Sequence, residues 1–194
     1  MTIFSAALLL FLVMDPLGNI PMYLSALRNV PAERRTKIIA RELLIALIIM
    51  VLFLFAGRHF LSVLKISDPA LTVAGGVVLF LIAIKMIFPP DHPADAPIEE
   101  PFIVPLAIPY LAGPSTLASL ILIMNSEPQR WPEWLAALFG AWLVCGIILV
   151  SAVPLAKILR ERGLTAIERL MGMILIALAI QMLMTGIREF IATV

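Results

Sequence analysis

Charged residues are scarce in this sequence. Asp, Glu, Lys and Arg make up only 14% of its 194 residues, whereas 62% of the residues are hydrophobic. Soluble domains contain about 25% charged residues, and a soluble domain of this length could not bury so many apolar side chains. The formal net charge is only +1, and with the high apolar content this excludes disorder. The sequence also lacks the basic excess of a nucleic-acid-binding domain.

Cysteine and catalytic motifs are nearly absent as well. The single cysteine, Cys145, cannot form an intrachain disulfide or a metal site made of cysteines alone. The sequence contains no H-E-x-x-H, no G-x-S-x-G and no phosphate-binding loop, the motifs of metalloproteases, serine hydrolases and nucleotide hydrolases. We therefore predict a protein that is not an enzyme, holds no cofactor or metal and does not hydrolyse ATP.

The sequence has instead a series of long apolar runs. A bilayer core of about 30 Å requires about 20 apolar residues per helix, and irregular backbone is not tolerated against lipid. The first run has no basic residue before it and no cleavage signal after it, so it is interpreted as a retained span. The predicted fold class is an all-α membrane protein with six transmembrane helices, near residues 3–26, 38–57, 70–88, 102–124, 134–154 and 170–190.

The basic residues are distributed unevenly between the two sides of this arrangement. Ten of the 14 Lys and Arg residues fall on the side that holds the connections between spans 1 and 2, 3 and 4, and 5 and 6. The other four fall on the opposite side, which also holds both termini. Because basic residues favour the cytoplasmic side, we predict that both termini lie outside the cytoplasm.

The two halves of the chain resemble each other. At an offset of 96 residues, Gly76 aligns with Gly172, and polar Lys85 aligns with Gln181. Each half contains three predicted spans, and an odd number means that the second copy is inverted in the membrane. Inverted repeats with interrupted helices in corresponding positions are typical of secondary transporters, and the interruptions indicate the binding site.

This repeat divides the chain into three parts. Residues 1–88 form the first three-helix repeat, residues 89–101 a Pro-rich acidic cytoplasmic linker, and residues 102–194 the second, inverted three-helix repeat. The first span of each repeat contains two prolines separated by four residues, with a glycine between them. We therefore predict that helices 1 and 4 are interrupted, near residues 15–21 and 109–115.

Four segments carry a resemblance to a known family. They are MDPLGNIP (14–21), GGVVLFLIAIKMIF (75–88), ERLMGMILIALAIQM (168–182) and EEPFIVPLAIPYLAGPS, which ends at Ser115. On these segments the chain resembles the MarC family of bacterial inner-membrane proteins over essentially its whole length. The resemblance implies six helices in two inverted three-helix repeats and a place in the inner membrane, so that both termini would be periplasmic. Some members of the family are neutral amino acid transporters.

The first predicted interruption contains Asp15, the most deeply placed acid in the chain. Pro16 disfavours helix at Asp15, and Gly18 adds backbone freedom. Asp15 either caps the second half-helix or contacts a substrate or coupling ion, as intramembrane ionisable groups often do, and the two roles are compatible. Asp15, Gly18 and Asn19 are therefore candidate substrate-binding residues.

The second predicted interruption has no acid. Pro114 would open a half-helix, and Gly113 would let a ligand approach the backbone. Exposed N–H groups and the positive end of the helix dipole favour an anionic group there, and Ser115 and Thr116 add hydroxyl groups. The alternative is a Pro-kinked helix whose hydroxyls bond their own backbone. Gly113, Pro114, Ser115 and Thr116 are candidate substrate-binding residues.

The difference in charge between the two interruptions predicts how a zwitterion would bind. The substrate carboxylate would meet the backbone N–H groups around Gly113–Thr116. The ammonium would lie toward Asp15 and the freed carbonyls near Gly18 and Asn19. Gln181 is a further candidate, because it either bonds between helices or faces the cavity.

Two other pairs have structural interpretations. Arg41 and Glu42 are expected to be a snorkelling pair at the membrane surface, with a gate or a proton-linked pair as the alternative. Gly75 and Gly76 are expected to allow close helix packing.

The sequence thus predicts an inner-membrane transporter of small polar solutes, most of all neutral amino acids. The expected partners are a zwitterionic amino acid, the lipid bilayer, a proton or sodium ion for coupling, and further copies of the chain. Two alternatives stay open at this point. A passive channel or facilitator would show linear flux without counterflow, and a non-transporting membrane scaffold would have no cavity beside its helix interruptions.

Overall fold

The structure is a computed structural model that describes residues 1–27, 30–63, 65–88 and 111–193. Within these ranges the regular structure is entirely helical. The helices are α1 (Ile3–Met14), α2 (Ile20–Ala26), α3 (Ala32–Val63), α4 (Asp68–Ile87), α5 (Pro114–Ser126), α6 (Trp131–Val150) and α7 (Ala152–Thr193). The predicted linker 89–101 and the first part of predicted span 4 lie outside the described residues.

Four segments in the described part of the chain are long and apolar enough to cross a membrane. They are Glu33–Val63, Asp68–Ile87, Pro128–Val150 and Arg162–Ala192. The two other predicted spans correspond to shorter apolar helices, α1 with 12 residues and α5 with 13. At 1.5 Å per residue each measures roughly 20 Å, which is less than the bilayer core of about 30 Å.

The outer faces of the helices are apolar, on the four long segments and on α1 alike. Phe4 is 74% exposed, Ile48 58%, Leu81 56%, Ile147 60% and Met184 65%. Helices that are hydrophobic on every side belong in a core or a membrane, and contiguous exposed apolar surface on this scale is not found on soluble monomers. The molecule is therefore built for a lipid environment.

Helices α4 and α7 form the most extensive helix pair in the described structure. A Cβ added at Gly76 would lie 3.0 Å from the carbonyl oxygen of Ala179, and one added at Gly172 would lie 3.1 Å from that of Ala83. The contacts run in opposite directions along the two helices, so the pair is antiparallel. Glycine at both positions lets the backbones approach directly, as expected for close packing.

Gly75 brings a third helix to this pair. A Cβ at Gly75 would lie 3.0 Å from Cβ of Ala118 and 3.7 Å from Cα of Ser115, both on α5. The prediction that Gly75 and Gly76 allow close packing is thus confirmed. On α4, Gly76 faces α7, and Gly75 faces α5.

Helices α1, α3 and α6 share a second core. Sγ of Cys145 lies 3.7 Å from Sδ of Met14, and Nε1 of Trp142 donates to the carbonyl oxygen of Leu43 at 2.8 Å. Near the other end of α6, the ring of Trp131 packs edge-on against Phe55, with 5.8 Å between centroids. The interhelical bond from Trp142 satisfies an indole N–H that would otherwise face hydrocarbon.

The turn between α5 and α6 carries a cluster of charges. Arg130 pairs with Glu127 and Glu133, and its Nη1 donates to the carbonyl oxygen of Met1 at 2.8 Å. The hydrogen bond from Arg130 holds the pKa of Glu127 below its ordinary value. Trp134 donates from Nε1 to the carbonyl oxygen of Glu127 at 2.9 Å. These contacts tie the start of α1 to the end of α5.

Candidate functional site

The chain leaves helical geometry where the sequence predicts the first interruption. Helix α1 ends at Met14, and Asp15 adopts the left-handed conformation with φ 42° and ψ 62°. This conformation is uncommon for residues other than glycine, although Asp and Asn adopt it more readily than most. Helix α2 does not begin until Ile20. The interruption of the first helix is therefore confirmed.

Side chains satisfy the backbone groups that this turn releases. The N–H of Gly18 donates to Oδ1 of Asp15 at 3.1 Å, and Nδ2 of Asn19 donates to the carbonyl oxygen of Met14 at 2.9 Å. Released backbone groups in an apolar interior cost several kcal/mol unless they are paired, so these bonds are structural. The carboxylate of Asp15 bonds within its own turn and precedes α2 by several residues, so it caps the turn.

Gly18 is required by the position of the Asp15 carboxylate. A Cβ at Gly18 would lie 2.1 Å from Oδ2 of Asp15 and 2.2 Å from Cε of Met86. A side chain there would displace the methyl group of Met86 and push the Asp15 carboxylate away from the N–H of Gly18. Glycine therefore allows the acid to fold back onto its own turn.

Asp15 is almost completely buried, with 3% of its surface exposed. The carboxylate of Glu168, on α7, is close enough to interact with it electrostatically. Sequence reasoning missed Glu168 because the predicted sixth span begins two residues after it, whereas the apolar segment in the structure begins at Arg162. A buried acid with a second acid nearby is a site that favours a cation or a proton.

The second candidate site is the start of α5. Gly113 occupies the N-cap position, Pro114 is the first helical residue, and no side-chain hydrogen bond caps this helix in the described part of the chain. Ser115 and Thr116 are 3% and 1% exposed. The first N–H groups of a helix have no partner within it, so Ser115 and Thr116 present backbone donors. The half-helix start predicted at Pro114 is confirmed, and residues 109–110 lie outside the described residues.

Helix α4 gives the relative position of the two candidate sites. Gly18 lies against Met86, whereas Ser115 lies against Gly75. These α4 residues are 11 positions apart, about 16 Å along the helix axis, although the Met86 side chain leans back and shortens the gap to on the order of 10 Å. The ammonium and carboxylate of an amino acid share one Cα atom. The two candidate sites therefore lie at different heights along α4, and binding of one solute to both stays a prediction.

A cavity of about 300 Å³ lies between α1, α4, α5 and α7. Gln181 is the one sequence-predicted site residue that lines it. Thr72 and Ser119, which sequence reasoning missed, also line it. Ser119 lies one turn beyond Ser115 on α5, and Thr72 lies one turn before Gly75 on α4. The cavity thus follows α5 from Ser119 to Ser126, and Gly113, Pro114, Ser115 and Thr116 do not line it.

Glu42 is buried, whereas the sequence predicted that it lies at the membrane surface. It is 0% exposed, and its Oε1 accepts from Nη2 of Arg41 at 2.9 Å. Among the described residues, no hydrogen-bond partner reaches its Oε2. Helix α3 begins at Ala32, so Glu42 lies roughly 15 Å along the helix axis from its start. The interpretation as a surface pair is wrong for Glu42, although Arg41 does reach the exterior, with 42% of its side chain exposed.

Metal-ligand clusters are not seen in the part of the chain that the structure describes. No group of three or more His, Cys, Asp or Glu side chains there is arranged to hold a metal ion. The described residues offer a buried carboxylate at Asp15, backbone donors at the start of α5 without a side-chain cap, and a cavity with polar groups at Thr72, Ser119 and Gln181.

Apolar helices with lipid-facing exteriors and helix ends inside the bundle define an integral membrane protein. Comparison of sequences shows the family to which it belongs. Residues 1–191 match the MarC family of integral membrane proteins, and the chain belongs to that family. The resemblance noted from the sequence motifs is thus confirmed.

Individual relatives match along nearly the whole chain. The UPF0056 inner membrane protein YhgN of Escherichia coli K12 is 47% identical over 189 residues, covering 96% of each chain. A UPF0056 membrane protein of Buchnera aphidicola from Schizaphis graminum is 45% identical, covering 97% of each. One from Methanocaldococcus jannaschii is 31% identical, covering 92% of this chain and 83% of its own. No solved structure matches the chain.

Proposed function

We propose that this protein is a secondary transporter of small polar solutes, in particular neutral amino acids, in the inner membrane. The observation that carries this proposal is that α1 and α5, both too short to cross a bilayer, end inside the bundle at polar groups. Interrupted helices in corresponding positions of two repeats are the sites at which secondary transporters bind their substrates. The inner-membrane location follows the printed name of the Escherichia coli relative.

The contacts between α4 and α7 support two inverted repeats. Gly76 packs on the carbonyl of Ala179, and Gly172 packs on the carbonyl of Ala83. Each residue of one pair aligns with a residue of the other at the same offset of 96 that relates the two halves in sequence. Such reciprocal contacts are the mark of two-fold symmetry. We infer six spans, with the first half of span 4 outside the described residues.

The cavity favours transport over a scaffold role. Both helix interruptions are buried, as a scaffold would have them, but a cavity of about 300 Å³ reaches Ser119, one turn beyond Ser115 on α5, and a scaffold needs no such space. That volume is at the lower end of the range for small-molecule sites, about 300–1,000 Å³. It suits a solute of the size of an amino acid.

We propose that the substrate contacts the two sites in succession. Its carboxylate meets the backbone N–H groups at Gly113–Thr116, and a coupling proton or sodium ion, or the substrate ammonium at a later step, meets Asp15. The gap of on the order of 10 Å along α4 favours successive contacts over a single bound position.

The test is uptake and counterflow of labelled neutral amino acids in liposomes that contain the purified protein. We expect saturable uptake, and an unlabelled amino acid inside the vesicles should accelerate the entry of labelled solute. Linear flux without counterflow would identify a passive channel instead. No flux of any amino acid above that of empty liposomes would overturn the proposal.

The proposed orientation, with both termini in the periplasm, has a separate test. A reporter that is active only in the cytoplasm, fused after Val194, should be silent, because ten of the 14 basic residues lie on the other side. An active reporter would reverse the orientation and leave the fold unchanged.

A further inference from the structure

The cavity between α1, α4, α5 and α7 contains polar groups of one kind. Its polar lining includes Thr72, Ser119 and Ser126, together with Gln181 and Thr185 of α7. The rest of the lining is apolar and includes Leu9, Leu122 and Leu178. No Asp, Glu, Lys or Arg side chain is among the described residues that line it, but Met1 is. The N-terminal ammonium of Met1 pairs with Oε1 of Glu127 at 3.5 Å, so its charge is balanced and selectivity rests mainly on hydrogen bonds and shape.

The protons of three hydroxyl groups in the cavity are already in use. Oγ1 of Thr72 donates to the carbonyl oxygen of Asp68 at 2.9 Å, and Oγ of Ser119 donates to that of Ser115 at 2.9 Å. Oγ of Ser126 donates to the carbonyl oxygen of Ile123 at 2.8 Å. A hydroxyl has one proton and two acceptor lone pairs. These three groups therefore offer a ligand acceptors only.

Gln181 adds a fourth acceptor. Its Nε2 donates to Oγ1 of Thr185 at 3.3 Å, which turns the amide nitrogen toward its own helix. The carbonyl oxygen Oε1 remains available, because an amide oxygen accepts up to two hydrogen bonds. Acceptor oxygens thus come from α4, α5 and α7.

We propose that this cavity is an entry site that binds the ammonium group of the solute through Thr72, Ser119 and Gln181. This inference rests on the proposed transport function and adds the place and the chemistry of first recognition. An ammonium has three donors and no acceptor, so it complements a set of oxygens from three directions. A carboxylate has only acceptors, and against the four acceptor oxygens the side chains of this lining offer it two donors, the hydroxyl of Thr185 and the second amide proton of Gln181. The apolar residues accommodate the side chain of a small neutral amino acid.

The position of the cavity indicates which contact the solute makes first. Ser119 bonds the carbonyl of Ser115, so the acceptors lie one turn, about 5.4 Å, from the start of α5. Ser115 and Thr116 are buried and do not line the cavity, so a zwitterion held by its ammonium at Thr72 and Ser119 waits one turn from their backbone donors. The cavity is therefore the first contact on the way to the α5 site, whereas Asp15 lies farther along α4.

The test is equilibrium binding to the purified protein in lipid nanodiscs, with two probes that separate the charges. L-Alaninamide carries the ammonium without a carboxylate, and N-acetyl-L-alanine carries the carboxylate without an ammonium. At pH 6 we expect L-alaninamide to bind and N-acetyl-L-alanine not to bind. Binding of L-alaninamide should decline as pH rises above about 8, because its α-amine then loses its proton.

Two variants test the named oxygens. Thr72→Val and Ser119→Ala each remove one acceptor with little change of shape, and each should weaken binding of L-alaninamide about tenfold, since hydrogen bonds to charged groups contribute 1.4 kcal/mol or more. Ser62→Ala is the matched control. Ser62 donates to the carbonyl oxygen of His59 at 2.7 Å in the same manner but does not line the cavity, so this variant should bind like the wild type.

The outcomes distinguish this inference from the proposed function. Equal binding of N-acetyl-L-alanine, or wild-type binding by both Thr72→Val and Ser119→Ala, would overturn the ammonium site even if liposomes transport amino acids. Binding of L-alaninamide that depends on Thr72 and Ser119, in a protein that shows no amino acid flux, would retain the site and overturn the transport function.

Discussion

The turn at Asp15 and the start of α5 are made from similar residues but present opposite chemistry. Each has a proline and a glycine in an apolar run, and each ends helical geometry inside the bundle. At the first, the carboxylate of Asp15 accepts a hydrogen bond from the N–H of Gly18, and the side chain of Asn19 donates one to the carbonyl oxygen of Met14. At the second, Gly113 supplies no side chain, and no side-chain cap is present in the described structure. One acidic residue therefore decides whether the backbone donors of a break are used by the protein or offered to a ligand.

The largest effect is expected at Gly18, since this glycine leaves the space in which the Asp15 carboxylate folds back. Gly18→Ala would place a Cβ 2.1 Å from Oδ2 of Asp15. We expect the carboxylate to be displaced and the protein to lose about 3 kcal/mol of stability or fail to fold, as for severe overpacking. Thermal unfolding in detergent measures this loss.

Gly140→Ala is the control for that substitution. Gly140 lies on α6 with nothing within 4 Å of the position of a Cβ, and alanine is the better helix former by up to about 1 kcal/mol. This variant should be as stable as the wild type or more so. Equal melting temperatures for Gly18→Ala and Gly140→Ala would show that the turn does not depend on glycine.

Asp15→Asn separates the structural role of the acid from its charge. The amide oxygen of asparagine can still accept the Gly18 N–H, so the variant should fold with stability within about 1 kcal/mol of the wild type. Transport should be abolished if Asp15 binds a cation or a proton, and liposome flux measures it. Normal flux would mean that the two breaks differ in structure alone.

Gly113→Leu tests the break without an acid. A leucine side chain at the N-cap would cover the first N–H groups of α5, so we expect transport to be abolished. Gly140→Leu, in open space on α6, is the matched control and should transport normally. Undiminished flux in Gly113→Leu would remove the start of α5 from the substrate path.

Ser115→Ala should have the smallest effect. If the carboxylate is held by backbone N–H groups, loss of the hydroxyl should weaken binding by only about 1 kcal/mol. A loss much larger than this, measured as the change in half-saturation of uptake, would assign recognition to the side chain. The second break would then resemble the first in using a side chain.

The sequence was informative wherever a residue type restricts the backbone. Pro16 and Gly18 predict the turn at Asp15, Pro114 predicts the start of α5, and Gly75 and Gly76 predict close packing of a helix against α4. Each prediction follows from what proline and glycine do to the chain itself. Such effects need no knowledge of neighbouring helices.

Features that depend on the neighbours could not be predicted. Thr72 and Ser119 resemble any hydroxyl residue in an apolar helix, and only the packing of α1, α4, α5 and α7 places a cavity beside them. Glu42 lies near the start of an apolar run in sequence, but α3 extends well before that run and carries the acid inside the protein. The gap between the two breaks also follows from the arrangement of three helices.

The placement of all tryptophans on one helix determines which movements intrinsic fluorescence can detect in this protein. All three tryptophans, Trp131, Trp134 and Trp142, lie on α6. Trp131 packs on Phe55 and Trp142 bonds the carbonyl of Leu43, both on α3. Two of the three tryptophans therefore report on the α3–α6 pair, whereas the cavity lies between α1, α4, α5 and α7. A change in emission on adding a solute would report a movement of α6 relative to α3, and emission that stays constant while a solute binds would identify that pair as the stationary part of the molecule.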